Sequence, residues 1–277
     1  MTGASSGIGA ESAGRLAEQG AELAIVGRDP ERTRAVADRV GGTPFIADFD
    51  HLDDVHALAD ALLARFDRID VLANNAGGLV SRHAITVDGH ERTIQSNHLA
   101  PFLLTNLLLP RLIASASGDR RVRVVSVASA ANLMGDLRLD DLDWEKRPWL
   151  GGWRAYGTSK VATILFIREL AERLTGTGVD AYSMHPGLVA TRFGETSPSI
   201  RLANWVTRGR YGTPAAVGAV PLTALAGAGE VGAPSGTYFD RLTPNGSVNP
   251  QAKDAQLGRE LWALSERLVG VGSAARG

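Results

Sequence analysis

The chain has 277 residues, 44% of them hydrophobic and 21% charged, the balance of a globular protein with enough length for one large domain or two small ones. A formal charge of −1 leaves no strong field to draw in nucleic acid or an anionic membrane. Without cysteine there is no disulfide framework, thiolate metal site or cysteine nucleophile, and the histidines show no metal-ligand spacing, with His51 and His56 the nearest pair.

The chain opens on MTGASSGIG, where Gly3, Gly7 and Gly9 sit in a loop of small residues running into a helix. Glycines there let backbone amides approach a phosphate, and the helix start at Ile8–Gly9 adds the positive end of a dipole; Ser5 and Ser6 can add hydroxyl donors. The helical pattern runs from Ile8 to a capping Gly20. AELAIVG (Ala21–Gly27) reads as a buried strand. A helix then starts with Asp29 as N-cap and Pro30 at its first position. TPFIAD (Thr43–Asp48) is a strand and Leu52–Phe66 an amphipathic helix. IDVLANNAG supplies a strand over Ile69–Ala73, and its Asn74-Asn75-Ala76-Gly77 exit either admits a ligand close to the backbone or is an ordinary turn. Helical sequence spans roughly Asp88–Ser115, with Pro101 and Pro110 expected to kink or divide it. RVRVVSVAS (Arg121–Ser129) is a strand, Arg154–Leu174 a helix, GVDAYSMHPG a strand with its exit turn, and GTYFD (Gly236–Asp240) a last strand. The Ala- and Gly-rich stretch Ala224–Ser235 reads as a surface loop.

Strands alternating with helices mean parallel βαβ units, hence one doubly wound α/β domain of the Rossmann type with helices on both faces of its sheet. Ligands in such sheets bind beyond the carboxyl ends of the strands. No apolar run approaches the ~20 residues of a membrane span, and no secretory signal is recognisable; a cytoplasmic location is expected.

Tyr156-Gly-Thr-Ser159-Lys160 opens a strongly helical segment. A spacing of four places the phenol and the ammonium on one helix face, where the ammonium favours the phenolate and so lowers the phenol's pKa. Such a tyrosine can exchange a proton with an alcohol or carbonyl near neutral pH.

TGASSGIG, NNAG and YGTSK, in this order and on these elements, resemble the short-chain dehydrogenase/reductase family over nearly the whole chain. NHLAPFLLT, WRAYGTSKVATILFIREL and HPGLVATRF look like its retinol dehydrogenase-like branch. The resemblance implies a hydride-transferring oxidoreductase that interconverts a carbonyl and an alcohol, with Tyr156 as general acid/base and Lys160 tuning it and holding the nicotinamide ribose. Ser129 would hydrogen-bond the substrate oxygen, with Ser126, inside the strand, as runner-up; Asn97 would anchor a water in the proton relay. Gly3, Ser5, Ser6, Gly7, Ile8 and Gly9 would cradle the pyrophosphate, Asp48, with Phe49 behind it, would meet the adenine, and Asn75, Ala76 and Gly77 would line the cofactor's path. Pro186 and Gly187 would lie against the nicotinamide ring, with Val189 and Thr191 at its carboxamide. No metal is required.

At the end of the second strand of that pattern the chain has Gly27-Arg28-Asp29. Enzymes that prefer NAD carry an acidic side chain where Gly27 stands, and Arg28 can hold a 2′-phosphate, so NADP(H) is expected over NAD(H). An apolar substrate is expected from Trp144, Trp149 and Trp153, between Ser129 and Tyr156, and from a lid over Arg192–Tyr211 bearing Phe193, Ile200, Leu202 and Trp205; the tryptophans can equally pack that insertion onto the body. The resemblance also implies a homodimer or homotetramer, and a first strand ahead of Met1, with Met1 expected to be a misassigned GTG start. A cofactor-binding sensor of the same fold is the rival reading.

Overall fold

The computed structural model describes residues 1–117, 121–190 and 212–271. Helices α1 (Gly7–Glu18), α2 (Pro30–Val40) and α3 (Leu52–Arg65) alternate with strands β1 (Ala24–Gly27), β2 (Thr43–Ile46) and β3 (Val71–Asn74). A continuous helix follows, made of α4 (Arg92–Ile94), a π-turn over Gln95–Leu99, and α5 (Ala100–Ser115). Strand β4 (Val122–Val127), helix α6 (Trp153–Arg173) and strand β5 (Val179–His185) complete the central unit. Beyond it lie β6 (Val189–Ala190), β7 (Thr213–Pro214), α7 (Ala215–Gly227), β8 (Tyr238–Asp240), β9 (Thr243–Pro244) and α8 (Ala255–Leu268).

Strands β3, β4, β5 and β8 pair in parallel in that order, and β9 closes the edge as an antiparallel partner of β8. β1 and β2 form a separate parallel pair. Residues Met1–Ala4 join the two sheets: the Met1 amine donates to Ala24 O at 2.8 Å, Val26 N donates to Met1 O, Ala4 N to Val26 O, and Thr2 N to Ala73 O. Burial pulls the pKa of that amine down to about 5.

Side chains alternate across the strands. Leu72, Val124 and Ala181 face a core shared with α3, α5 and α6, whereas Ala73, Val125 and Tyr182 face α7 on the opposite side. α1 and α2 pack beside α7 on that second face, over Ile25. By length and composition Arg92–Ser115 could cross a membrane, a property the expectation above missed. Here it is a core helix: Leu99, Phe102, Leu103, Leu104, Leu108 and Leu112 have no exposed surface. Neither proline divides it. Pro101 sits just past the π-turn, where it has no N–H to return to the carbonyl of Asn97.

Candidate active site

The glycine loop is built against the exit of β3. Gly3 and Gly7 are left-handed, with φ of +62° and +55°. A Cβ at Gly9 would lie 2.3 Å from Gly3 O and 2.6 Å from Asn75 Nδ2, so glycine is required by close approach. Asn75 Nδ2 donates to Thr2 O and Gly3 O, both at 3.0 Å. Thr2 Oγ1 in turn accepts the N–H groups of Asn75 and Ala76 at 3.1 and 3.0 Å. The loop therefore holds its shape through NNAG, a role that leaves its outer amides for a ligand. Ser6, the N-cap of α1, makes no side-chain capping bond, and the first turn holds no acidic residue. That helix start suits a dinucleotide's pyrophosphate, so the residues present fit such a cofactor.

At the end of β1, a Cβ on Gly27 would stand 2.5 Å from Thr33 Oγ1 and 2.9 Å from Ser5 Oγ. An acidic side chain has no room there. The Asp29 carboxylate is already engaged, accepting Arg32 N at 3.0 Å and Arg32 Nε at 2.7 Å. Arg28 is exposed beside it, on an open depression shared with Arg32, Arg34 and Asp48. Asp48 N is held by Asp54, and Phe49 is buried in the core behind it.

Tyr156 and Lys160 lie on one face of α6, 5% and 4% exposed. Leu79, Ala131 and the edge of Trp153 pack around the phenol. Burial pushes its pKa above the ordinary value, and a hydrogen bond between the Ser129 and Tyr156 hydroxyls opposes that shift. Ser129 follows β4 as expected, whereas Ser126 is buried inside the strand against Asn74 Nδ2, at 3.4 Å. The lysine behaves differently from its sequence-based expectation. Its Nζ lies 5.5 Å from the phenol ring centre and donates to Val127 O at 2.9 Å, and burial pulls its pKa to about 8. The balance on the tyrosine is set by desolvation, which outweighs its neighbours.

Asn97 sits in the π-turn, 3% exposed. Its Oδ1 accepts Gly78 N at 2.8 Å, and its Nδ2 donates to Gly78 O and to Ser159 Oγ, each at 3.0 Å. Ser159 Oγ donates to Tyr156 O at 2.7 Å, so the asparagine is wired to the backbone of the tyrosine. A Cβ on Gly77 would meet Asn97 Oδ1 at 2.8 Å and Lys160 Nζ at 3.5 Å, which brings NNAG, Asn97 and Lys160 to one spot.

After β5, Pro186 and Gly187 form a turn with φ +89° at the glycine. Val189 packs onto Gly218 of α7, which also abuts Ile8. Thr191 and the expected lid, Arg192–Tyr211 with Phe193, Ile200, Leu202 and Trp205, lie outside the described residues. Two of the three insertion tryptophans serve packing: Trp144 lies under the Arg147 guanidinium at 3.9 Å, and Trp149 Nε1 donates to Ser81 O. Trp153 borders the phenol, and Leu133 and Met134 are exposed on the turn that follows Ser129. Sequence reasoning missed Thr2, visible only as the residue before Gly3, and a buried amide pair, Asn132 and Asn249, for which no sequence signal exists.

A doubly wound sheet with a glycine loop at its head and a buried Tyr–Lys pair beside a strand-end serine is the build of a dinucleotide-dependent oxidoreductase. The short chain dehydrogenase family model matches residues 1–139. Human retinol dehydrogenase 13 is 36% identical, over 98% of this chain and 84% of its own. A Streptomyces sp. (strain C5) protein provisionally named daunorubicin C-13 ketoreductase DnrU is 40% identical, over 98% and 91%. Among solved structures, the Pseudomonas aeruginosa RhlG/NADP active-site complex superposes with a TM-score of 0.66 at 27% identity, covering 93% of this chain and 94% of that one. A Brucella melitensis 3-ketoacyl-(acyl-carrier-protein) reductase complexed with NADH gives 0.64 at 25%, covering 86% and 93%. The chain belongs to the short-chain dehydrogenase/reductase family and resembles its retinol dehydrogenases.

Proposed function

We propose that the protein reduces apolar ketones or aldehydes, and oxidises the corresponding alcohols, with NADP(H). The observation that carries this reading is the buried Tyr156 phenol hydrogen-bonded to the half-buried Ser129 hydroxyl, in an apolar setting of Leu79, Ala131 and Trp153. A nicotinamide dinucleotide supplies or takes up the hydride when bound. The chain's own residues do the rest. The Gly3–Gly9 loop with Ser5 and Ser6 would hold the pyrophosphate, Asp48 the adenine end and Lys160 the ribose; Pro186, Gly187 and Val189, with Thr191 beyond the described residues, would serve the nicotinamide end. Ser129 holds the substrate oxygen, and Tyr156 gives that oxygen its proton or removes it. A phenol is protonated at neutral pH and burial raises its pKa further, so its resting form is the acid that carbonyl reduction needs. Asn97 anchors the proton's route beyond Lys160.

The preference for NADP(H) rests on Gly27, where a carboxylate would collide, on Asp29, already bonded to Arg32, and on the free-standing Arg28. A guanidinium there can meet a 2′-phosphate through charge-assisted bonds. Trp153 with the exposed Leu133 and Met134 gives the substrate side its apolar character.

The test is Tyr156→Phe, assayed by NADPH consumption across apolar ketones and aldehydes. The variant is expected to fold and to quench or enhance NADPH fluorescence as the wild type does, and to lose roughly 10²–10⁴ in turnover. Near-normal turnover would remove the tyrosine from the chemistry. NADPH binding by the wild type with no consumption on any carbonyl would favour the sensor reading.

A further inference from the structure

We propose that Asn132, clamped by Asn249 from the far end of the chain, is a positioning residue that holds Ser129 against Tyr156. The proposal rests on the roles assigned above to Ser129 and Tyr156.

Ser129 caps a 3-10 turn, Ala130–Met134, and both of its polar ends are tied within that turn. Its Oγ accepts Ala131 N at 3.2 Å. Its carbonyl accepts two donors, Asn132 N at 3.0 Å and Asn132 Nδ2 at 2.8 Å. Asn132 is fully buried, and its Oδ1 accepts Asn249 N at 2.8 Å. Asn249 Nδ2 donates to Asn132 O at 3.2 Å and Gly135 O at 2.9 Å, and its Oδ1 accepts Gln251 N at 2.9 Å. Gln251 continues the ladder, accepting Leu137 N at 2.9 Å and donating to Leu137 O at 2.8 Å. Every partner of the two asparagine amides is a backbone N–H or C=O, so the orientation of both amides is unambiguous.

The turn is also pinned from the other side. A Cβ on Gly135 would stand 2.7 Å from Gly157 O, the residue after Tyr156. Ser129 thus occupies a turn seated on the tyrosine's own helix and strapped down by a segment 117 residues away. Two donors on one carbonyl fix the peptide plane, and the Ala131 N–H then selects one direction for the hydroxyl. A carboxylate at 132 could still accept Asn249 N but could not donate to Ser129 O, which is why this position requires an amide. Misplacing a reacting group by ~1 Å can cost about 10²-fold in rate.

The experiment compares Asn132→Asp, Asn249→Ala, Ser129→Ala and a remote core variant, Leu103→Ala, in full-length protein with NADP(H) and the best carbonyl/alcohol pair from the panel. Asn132→Asp is expected to lose 10- to 100-fold in kcat, with NADPH affinity by fluorescence within twofold of wild type. The Ser129 bond opposes the upward shift on Tyr156, so slackening it moves the acid limb of the alcohol-oxidation pH profile to higher pH. Asn249→Ala keeps its backbone N–H to Asn132 but drops the two side-chain donors; it should show the same limb shift with a smaller loss, and it carries the test if Asn132→Asp does not fold. Leu103→Ala, a destabilising truncation in the core away from the turn, should leave the limb in place. Wild-type kcat in the folded variants, or a loss of kcat with an unmoved limb, overturns the positioning role. Ser129→Ala separates the two hypotheses: if it remains active, the proposed reading of the site fails, whereas if it is inactive while Asn132→Asp is normal, only the positioning proposal falls.

Discussion

Replacing Lys160 with methionine should stabilise the protein while removing its activity. Burial lowers the amine from an ordinary 10.5 to about 8. At 1.36 kcal/mol per tenfold change in proton affinity, keeping that charge inside the fold at pH 7 costs about 3 kcal/mol. Methionine fills a similar volume and removes this cost, but forfeits the bond to Val127 O, worth about 1 kcal/mol. The expected net gain is about 2 kcal/mol at pH 7. Its pH dependence is the sharper signature. Below pH 8 the folded and unfolded wild-type chains both carry the proton, so the cost is fully present. Between about 8 and 10.5 the unfolded chain retains a proton that the folded one has lost, and wild-type stability rises with pH. The advantage of Lys160→Met should therefore shrink by about 2 kcal/mol from pH 8 to 9.5 and come close to zero. Urea unfolding of both proteins at four values between pH 6.5 and 9.5 measures it. A variant less stable than wild type at pH 7, or a difference that stays flat to pH 9.5, would refute the reasoning.

Asn75→Ala removes the two side-chain hydrogen bonds to Thr2 O and Gly3 O and leaves the backbone ties through Thr2; at about 1 kcal/mol each the NADPH dissociation constant should rise by up to about 30-fold, read by fluorescence titration. Asp141→Asn leaves the Arg147 guanidinium, 8% exposed, with only the longer 3.9 Å pair to Asp136 in place of the 2.6 Å pair to Asp141, and should cost about 3 kcal/mol of unfolding free energy by denaturant titration. Arg28→Ala should reduce the NADPH-to-NADH preference in kcat/KM by about tenfold or more through loss of a charge-assisted bond, with the NADH value itself little changed; an unaltered ratio would exclude Arg28 from cofactor choice.

Local signals carried most of the framework. The apolar strand cores, the Asp29–Pro30 helix start and the YGTSK helix are set by near-neighbour chemistry, and they stand within a few residues of their expected places. Helix α7 escaped because AAVGAVPLTALAG is apolar nearly all round, wedged between α1 and the sheet, so no amphipathic period marks it. Helix α8, whose Trp262 reaches the main core, was likewise not drawn from the sequence. The glycine loop, NNAG and the strand-end serine were legible as motifs. What they do to one another was not, since the bonds from Asn75 to Thr2 and Gly3 span more than seventy residues. The lysine shows the same limit: spacing put it one turn from the phenol, but burial and a backbone carbonyl decide its state.

Strand β4 acts as a common ruler for this chemistry. Val127 O fixes the Lys160 amine and Ser129, two residues further on, engages the Tyr156 phenol, so one peptide segment sets the spacing between the two groups that flank the tyrosine. Changes in the more distant insertion that carries Trp144 and Trp149 would leave that interval intact, because it is set within one strand and the turn that follows it.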